Sequence, residues 1–412
     1  MQTYYFVCVD YVSRMSTLIK MLSTILENFA SLYSLTLSFF GLFLPSKDFS
    51  NWNRYEILRK YSGLLYATLT TIGYCYLQWY ASQNTYKTSR TSNVILSTST
   101  DTLLTIICLI STLGNAFCKK GKWIRLLKLQ NFCRKRTRID GFWRNKFYLV
   151  LEVLFGHAIF CFVVGAAQYK NVIEDDLSKL AATFIKNVFF YYTFLIATVI
   201  YNMALSLRNC LVGLKIHIVK SLDVESSVFL SETKSLRTIM TPISVIGEET
   251  FWKLLEASKI FNIIFECVEI FNDIFGVLIL FFNVVTVLII LVSLNTLLIT
   301  GEMEQLTVEI AIDSISVCLM FIIWNSFVTS ACGLLKRESV TIITLCCKLQ
   351  HALPHGSKER QEILNLARQI NRKSPRVTAA GFCDVDFSLI FSVFSYVGTY
   401  IVVLIQFSHI DF

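Results

Sequence analysis

Long apolar runs separated by short polar and charged stretches set the pattern of this chain. A bilayer's hydrocarbon core is about 30 Å thick, so a helix rising about 1.5 Å per residue needs roughly 20 apolar residues to cross it. Seven segments satisfy that length: residues 61–80, 94–117, 147–167, 181–205, 275–299, 310–335 and 387–407. An eighth apolar stretch, 32–44, is shorter and ends at Pro45, and is assigned as an interfacial or re-entrant segment. All four prolines lie outside the seven spans. The predicted fold class is all-α: a polytopic membrane protein forming a single domain of seven transmembrane helices.

Apolar periodicity near the fifth span runs from about Phe251 to Ile299, well beyond what a bilayer requires, so that helix is expected to project from the membrane. Glu266, Glu269 and Asp273 recur at three- and four-residue spacing and give the projection a polar face. Between the sixth and seventh spans, Ser357 is placed to cap a helix running to Lys373, with Ile363, Leu366, Ala367 and Ile370 on one face and Pro375 after its end. These features predict a helical anchor layer over 336–378, between spans one to six (61–335) and a last helix with a short outer tail (379–412). Residues 1–60 form an N-terminal region.

Charge fixes the orientation of this arrangement. Lys and Arg alternate between crowded and sparse loops: 33 fall on the side of the N-terminus and of 119–146, 208–259 and 336–376, and four on the other, with Lys186 alone inside a span. Cytoplasmic loops carry the basic excess, so the N-terminus is expected in the cytoplasm and the C-terminus outside. The formal net charge of +9 therefore belongs to loops and gives no nucleic-acid signature. Composition agrees with the membrane assignment: 54% of residues are hydrophobic and 16% charged, against about 25% charged in soluble domains.

Enzyme chemistry finds little support. The thirteen cysteines include no CxxC pair, which disfavours a disulfide scaffold or a zinc site, and adjacent Cys346 and Cys347 are read as buried thiols. His351 and His355 are separated by Pro354, which breaks the helix that would put both on one metal-binding face. No phosphate-binding loop or activated nucleophile is recognisable, and no cofactor is predicted. The last span is more informative. Ser388, Ser392, Ser395, Thr399 and Gln406 form one stripe of a helix, a pattern that serves close packing against another helix or a water-filled pore.

The string Thr399-Tyr400, five apolar residues, Gln406-Phe407 resembles the C-terminal TYhhhhhQF signature of insect gustatory receptors, where h is hydrophobic. The approach from Ala379 to Asp386, AAGFCDVD, is similar to the segment leading into their last helix, and Gly41 to Pro45 to their stretch ahead of the first span. Ile401 stands where receptors of the sugar-responsive TYE type carry Glu. The resemblance implies a tastant-gated cation channel in the plasma membrane. It implies a homotetramer, with or without other gustatory receptors, whose central pore is lined by the last helix and whose subunits meet mainly in a cytoplasmic anchor layer. Alternatives are a seven-helix receptor coupled to G proteins, disfavoured by the inside N-terminus and by spans without proline, and a transporter, for which no repeated halves are visible.

For the pore, Thr399, Val403 and Gln406 lie near one helical line, with Phe407 about 100° further round. No charge occurs in that span, so weak selectivity among permeant cations is expected from Gln406 amide oxygens, with Val403 and Phe407 as an apolar gate. Ligand pockets in the resembled family lie among the second to sixth spans and open outward. The outer half here contains Asp101, Gln168, Tyr169, Tyr191, Tyr192, Asn295 and Asp313. Asp101 and Asp313 are either pocket residues or structural pairing partners, and the aromatics either pocket residues, packing groups or an interfacial belt.

Overall fold

The computed structural model describes residues 56–84, 91–114, 120–137, 177–222, 248–302 and 308–408. The third predicted span (147–167), Gln168, Tyr169 and the 32–44 segment lie outside the described residues. In order, the elements are α1 (Glu56–Asn84), α2 (Thr91–Leu113), α3 (Lys120–Thr137), α4 (Leu177–Ser221), α5 (Glu248–Glu302), α6 (Val308–Ala352), α7 (Lys358–Arg372), β1 (Thr378–Ala379), β2 (Cys383–Asp384) and α8 (Phe387–Ser408). Each of the six other predicted spans falls on a helix. Among the described residues, four helices are long and apolar enough to cross a membrane, within α2, α4, α5 and α6, and α8 adds a shorter apolar stretch, Phe387–Val403. The molecule is an all-helical polytopic membrane protein of the seven-span kind, with a two-residue hairpin as its described β structure.

Helix α4 occupies the centre. Residues 192–200 are buried without interruption, the mark of a helix enclosed by others on all sides. Aromatic side chains fill this zone: Phe194 packs edge-on against Trp324 of α6 with ring centroids 4.4 Å apart, and Tyr192 stacks on Tyr66 of α1 at 5.2 Å. Such ring pairs add about 0.5–1.5 kcal/mol each beyond area burial. The periphery is apolar as well. Leu64, Leu65, Leu69 and Ile72 of α1, and Ile312, Ile315, Leu319, Ile323 and Phe327 of α6, are exposed at helical spacing, as lipid-facing stripes should be.

Among the described residues three helices overshoot the bilayer, where the sequence indicates two. At about 1.5 Å per residue, α5, with 55 residues, is roughly 80 Å long, and α4 and α6, with 45 each, are near 70 Å. Their far ends carry the basic loops, and α3 and α7 pack there. The basic loop after the second span contains a helix that its charge conceals. On α3, Trp123, Leu126, Gln130, Cys133 and Thr137 are buried at spacings of three and four, which turns one stripe inward and leaves the basic side chains to face outward. Three of them cross to α5: Lys122 to Asp273 at 2.9 Å, Arg125 to Glu266 at 2.6 Å and Arg136 to Glu256 at 3.1 Å. The acidic face expected on the α5 projection is thus the docking face for α3, two of its three residues being used.

Helix α7 forms as the sequence indicates. The Ser357 side chain accepts from the Arg360 backbone N–H at 3.2 Å, and Ile363, Leu366, Ala367 and Ile370 are buried. Hydrogen bonds from Ser258 to Glu362 and from Lys373 to Asn262 tie it to α5. Between α4 and α6, Glu338 accepts from both Arg208 and Lys215, at 3.2 and 3.3 Å. The pair Cys346 and Cys347 divides: Cys346 is buried and Cys347 exposed, because neighbours on a helix point about 100° apart. Reading both as buried was wrong for Cys347.

Candidate functional site

Among the described residues, two places bring chemistry-bearing residues together: a cavity among the spans and the strap that leads into α8. The cavity, of about 190 Å³, lies at the end of the bundle away from α3 and α7. Helix α2 contributes Ser97 and Thr100, α4 contributes Lys186 and Phe190, α5 contributes Ile289, Val292, Ser293 and Thr296, and α6 contributes Ser314 and Val317. An apolar lining with a few placed polar groups is the usual character of a small-molecule site. Lys186, the lone basic residue within a span, faces Asp101 of α2 with Nζ 3.8 Å from Oδ1, and lies 5.9 Å from the Phe190 ring centre.

The residues singled out from sequence are distributed around this cavity instead of lining it. Asp101 meets it through Lys186, its ion-pair partner. Tyr192 is fully buried against Tyr66, and Tyr191 stacks on Phe194 with centroids 6.0 Å apart. Asn295 is buried on α5 beside the lining residue Thr296. Asp313 belongs to α6, its side chain outside the described residues, as Gln168 and Tyr169 are altogether. Sequence reasoning passed over the hydroxyl residues, although Ser97 and Thr100, like Ser293 and Thr296, stand one helical turn apart and so share a face.

The approach to α8 is a strap built on backbone. Thr378 pairs with Asp384 and Ala379 with Cys383. The turn has positive φ at Ala380 (53°) and Gly381 (78°), closed by the Phe382 N–H donating to the Ala379 carbonyl at 3.0 Å. Two successive residues with positive φ, the second a glycine, reverse the chain within the three-residue loop 380–382. The Asn272 side chain of α5 holds the incoming chain by both ends of its amide, donating to the Arg376 carbonyl at 2.9 Å and accepting from the Thr378 N–H at 3.1 Å. One turn along α5, Gly276 lets the hairpin lie against bare helix: a Cβ there would stand 3.0 Å from the Ala380 nitrogen and 3.2 Å from the Thr378 oxygen.

The strap's exit is fixed to α6. Lys336 Nζ donates to Asp384 at 3.2 Å and to Asp386 at 2.8 Å, and a Cβ on Gly333 would stand 3.1 Å from the Phe387 ring. Asp386 also accepts from the Ser388 N–H at 3.0 Å, placing a carboxylate at the start of α8, where it satisfies an orphan donor and favours the helix dipole. The Lys336 ammonium holds the Asp386 carboxyl below the usual carboxylate range, with Ser388 assisting, and Asp386 in turn raises the Lys336 ammonium above its ordinary value.

From there α8 touches its own protomer along one line. Val393 and Val397 are buried against Ile290 and Leu291 of α5, with Tyr400 and Ile401 partly buried beside them. Ser388, Ser392, Ser395, Thr399, Val403 and Gln406 are all exposed, as are Phe391 (75%) and Tyr396 (71%). Phe407 lies in α8, its side chain outside the described residues.

The fold is therefore that of a polytopic membrane protein with a cavity among its spans and a last helix that the other described residues leave largely uncovered. The chain belongs to the seven-transmembrane chemosensory receptor family, whose model matches residues 30–410. Two solved structures of the olfactory receptor OR5 from Machilis hrabei share the fold. One matches at TM-score 0.58 and 14% identity over 93% of this chain and 99% of that one; the other, in complex with eugenol, matches at 0.55 and 13% over 94% and 98%. No curated protein matches this chain significantly.

Proposed function

We propose that this chemoreceptor is a gustatory receptor: a homotetrameric, tastant-gated and weakly selective cation channel of the plasma membrane, with or without other gustatory receptors in the assembly. The observation that carries the reading is the uncovered face of α8. Its stripe from Ser388 to Gln406 is polar and exposed, yet the helix is apolar enough to lie in a membrane. A lone helix in that state would leave hydroxyl groups in lipid, whereas four copies around an axis give them water and cover Phe391 and Tyr396 with neighbouring protein.

In this reading the basic ends of α4, α5 and α6, with α3 and α7, form a cytoplasmic anchor layer. The cavity opens toward the outside and takes a small molecule, as OR5, a receptor of similar fold, takes eugenol. The ring of Gln406 amides offers cations partial coordination, and Val403 and Phe407 close an apolar constriction. Ligand binding favours a dilated arrangement of the four α8 helices by its differential affinity for that state. The gustatory assignment itself rests on the Thr399-Tyr400 and Gln406-Phe407 signature.

The test is a panel of tastants applied to cells that express only this chain and lack G-protein signalling, with current as the readout. Ligand-evoked cation current is expected. A response that appears only when G-protein signalling is restored would overturn the channel reading. An epitope after Phe412 is expected to stain in intact cells and one before Met1 is not; staining of both ends would defeat the odd number of spans.

A further inference from the structure

We propose that the outer face of α7 binds a small soluble polyphosphate, held by Arg368 and Arg372 from several subunits where four copies of α7 face one another below the pore. The inference rests on the homotetrameric channel reading.

Placement comes first. Helix α7, the strap and α8 all pack on α5 and α6. On α5, Ser258 donates to Glu362 and Asn262 accepts from Lys373, both near α7; Asn272 and Gly276 meet the strap; Ile290 and Leu291 meet Val393 and Val397 of α8. At about 100° per residue these positions fall within one sector of α5 roughly 100° wide. The three elements therefore lie in file along one side of α5, and their outer faces look the same way. If the open face of α8 looks toward the axis of the assembly, so does that of α7.

Charge then says what that face meets. Ile363, Leu366, Ala367 and Ile370 are buried, and the opposite side of α7 shows Lys358, Gln361, Asn365, Arg368 and Arg372, all exposed, at spacings of three and four. No carboxylate shares the stripe, since Glu359 is buried and Glu362 is engaged by Ser258. Lys358, Arg368 and Arg372 have no ion-pair partner among the described residues. Each subunit thus brings three cations, and a neighbouring α7 stripe answers them only with like charge. Bare, that ring would oppose the passage of cations. A bound polyanion cancels it.

Geometry narrows the anion. Arg368 and Arg372 stand one turn apart, roughly 6 Å along the helix, a spacing that two phosphate groups of one small molecule can match. Guanidinium groups bind phosphate bidentately, and Asn365, one turn earlier, adds an amide donor. Ser258 and Asn262 lie 17 and 13 residues before the predicted span start at Phe275, which sets α7 roughly 20–25 Å beyond the bilayer. The phosphate therefore belongs to a soluble molecule and not to a lipid headgroup.

The experiment uses the purified full chain in detergent with inositol hexakisphosphate as the probe. Affinity is read from the thermal-stability shift, stoichiometry from titration calorimetry and assembly from particle mass. Binding is expected at one probe per four chains. R368Q/R372Q changes two exposed side chains and should leave the melting temperature without probe unaltered, while binding weakens roughly a hundredfold. K135Q/K220Q removes as many exposed cations from α3 and α4 and should bind as the unmodified chain does. No binding, one probe per chain, equal weakening in the two variants, or full affinity in R368Q/R372Q would overturn the inference. Four-chain particles that fail to bind the probe sink this site and leave the channel reading standing. Binding as expected in four-chain particles that pass no tastant-evoked current sinks the channel reading and leaves the site.

Discussion

The basic end of the bundle and α8 are built by opposite rules. At the basic end the described helices bury apolar stripes against one another: α3 turns Leu126 and Cys133 inward and meets α5 through three ion pairs, and α7 buries Ile363 and Ile370. Helix α8 buries Val393 and Val397 and leaves most of its circumference open. The first region is closed by contacts among the described residues, and the second, in the proposed assembly, is completed by other copies. In the proposed channel that division lets α8 shift without breaking a core while its strap still ties it to α5 and α6. Local stability follows the density of buried apolar contacts, so the two regions should respond differently to the same kind of damage.

The largest contrast is expected from matched truncations. Leu126→Ala empties a fully buried site in the anchor and should cost about 2–5 kcal/mol, seen as a marked drop in the melting temperature of detergent-purified protein. Val397→Ala, on the helix held along one line, should leave that temperature almost unchanged. Equal losses would mean that α8 belongs to the same cooperative unit as the anchor.

Glycines sharpen the contrast. At Gly276 a new Cβ meets backbone of the strap at 3.0 Å, which cannot swing aside, so Gly276→Val should impose roughly 1–3 kcal/mol of strain and abolish evoked current in protein that still reaches the surface. Gly121→Ala, where nothing lies within 4 Å among the described residues, is the neutral control. Unaltered gating in Gly276→Val would show that the strap does not transmit motion to α8.

How much of this was legible in the sequence depends on whether the signal was local. The six spans that fall on described residues were, because lipid imposes length and exclusion of charge on each segment separately. The α7 helix was too, with its Ser357 cap and Pro375 stop. Helix α3 was not: two of its five buried positions are Gln130 and Thr137, and seven Lys or Arg in eighteen residues hide the stripe. The hairpin escaped because its strands are two residues long and its turn puts Ala380, not a glycine, at positive φ. For the cavity, intramembrane charge pointed to Asp101, but its partner Lys186 was left without a role, and small hydroxyl residues on three helices look in sequence like packing positions. What gathers them is the tertiary arrangement of α2, α4, α5 and α6.

A gentler pair of variants probes the open face of α8. A Cβ on Gly398 would meet nothing within 4 Å among the described residues, so Gly398→Leu should leave protomer stability intact and change gating several-fold if other copies approach that face. Gln406→Glu places a carboxylate where the exposed amide stands, and a ring of such groups should raise preference for divalent cations. Reversal potentials in sodium and calcium solutions measure it. Normal permeation in both variants would place the conducting path elsewhere.

The smallest expected effect concerns the Lys336–Asp386 contact. Its acid side follows from the Asp386 carboxyl being held below its ordinary value of 3.8: the contribution is fully present above that value and is lost as pH falls through the still lower folded value. Its alkaline side follows from Lys336 being raised above 10.5: the contribution is fully present below 10.5 and lost only as pH rises past the folded value. The contact is therefore constant across physiological pH, and acid in the range of tastants around pH 4 should not release the strap. Lys336 is 38% exposed, so screening keeps the pair to about 1 kcal/mol or less. Asp386→Asn retains a cap for α8 and removes only the ion pair, so it should slightly lower the ligand concentration needed for opening or raise basal current, if the pair favours the closed arrangement. Asp386→Ala removes the cap as well and should do more. A channel whose basal current rises steeply between pH 6 and 5 would contradict this ordering, because neither group titrates there.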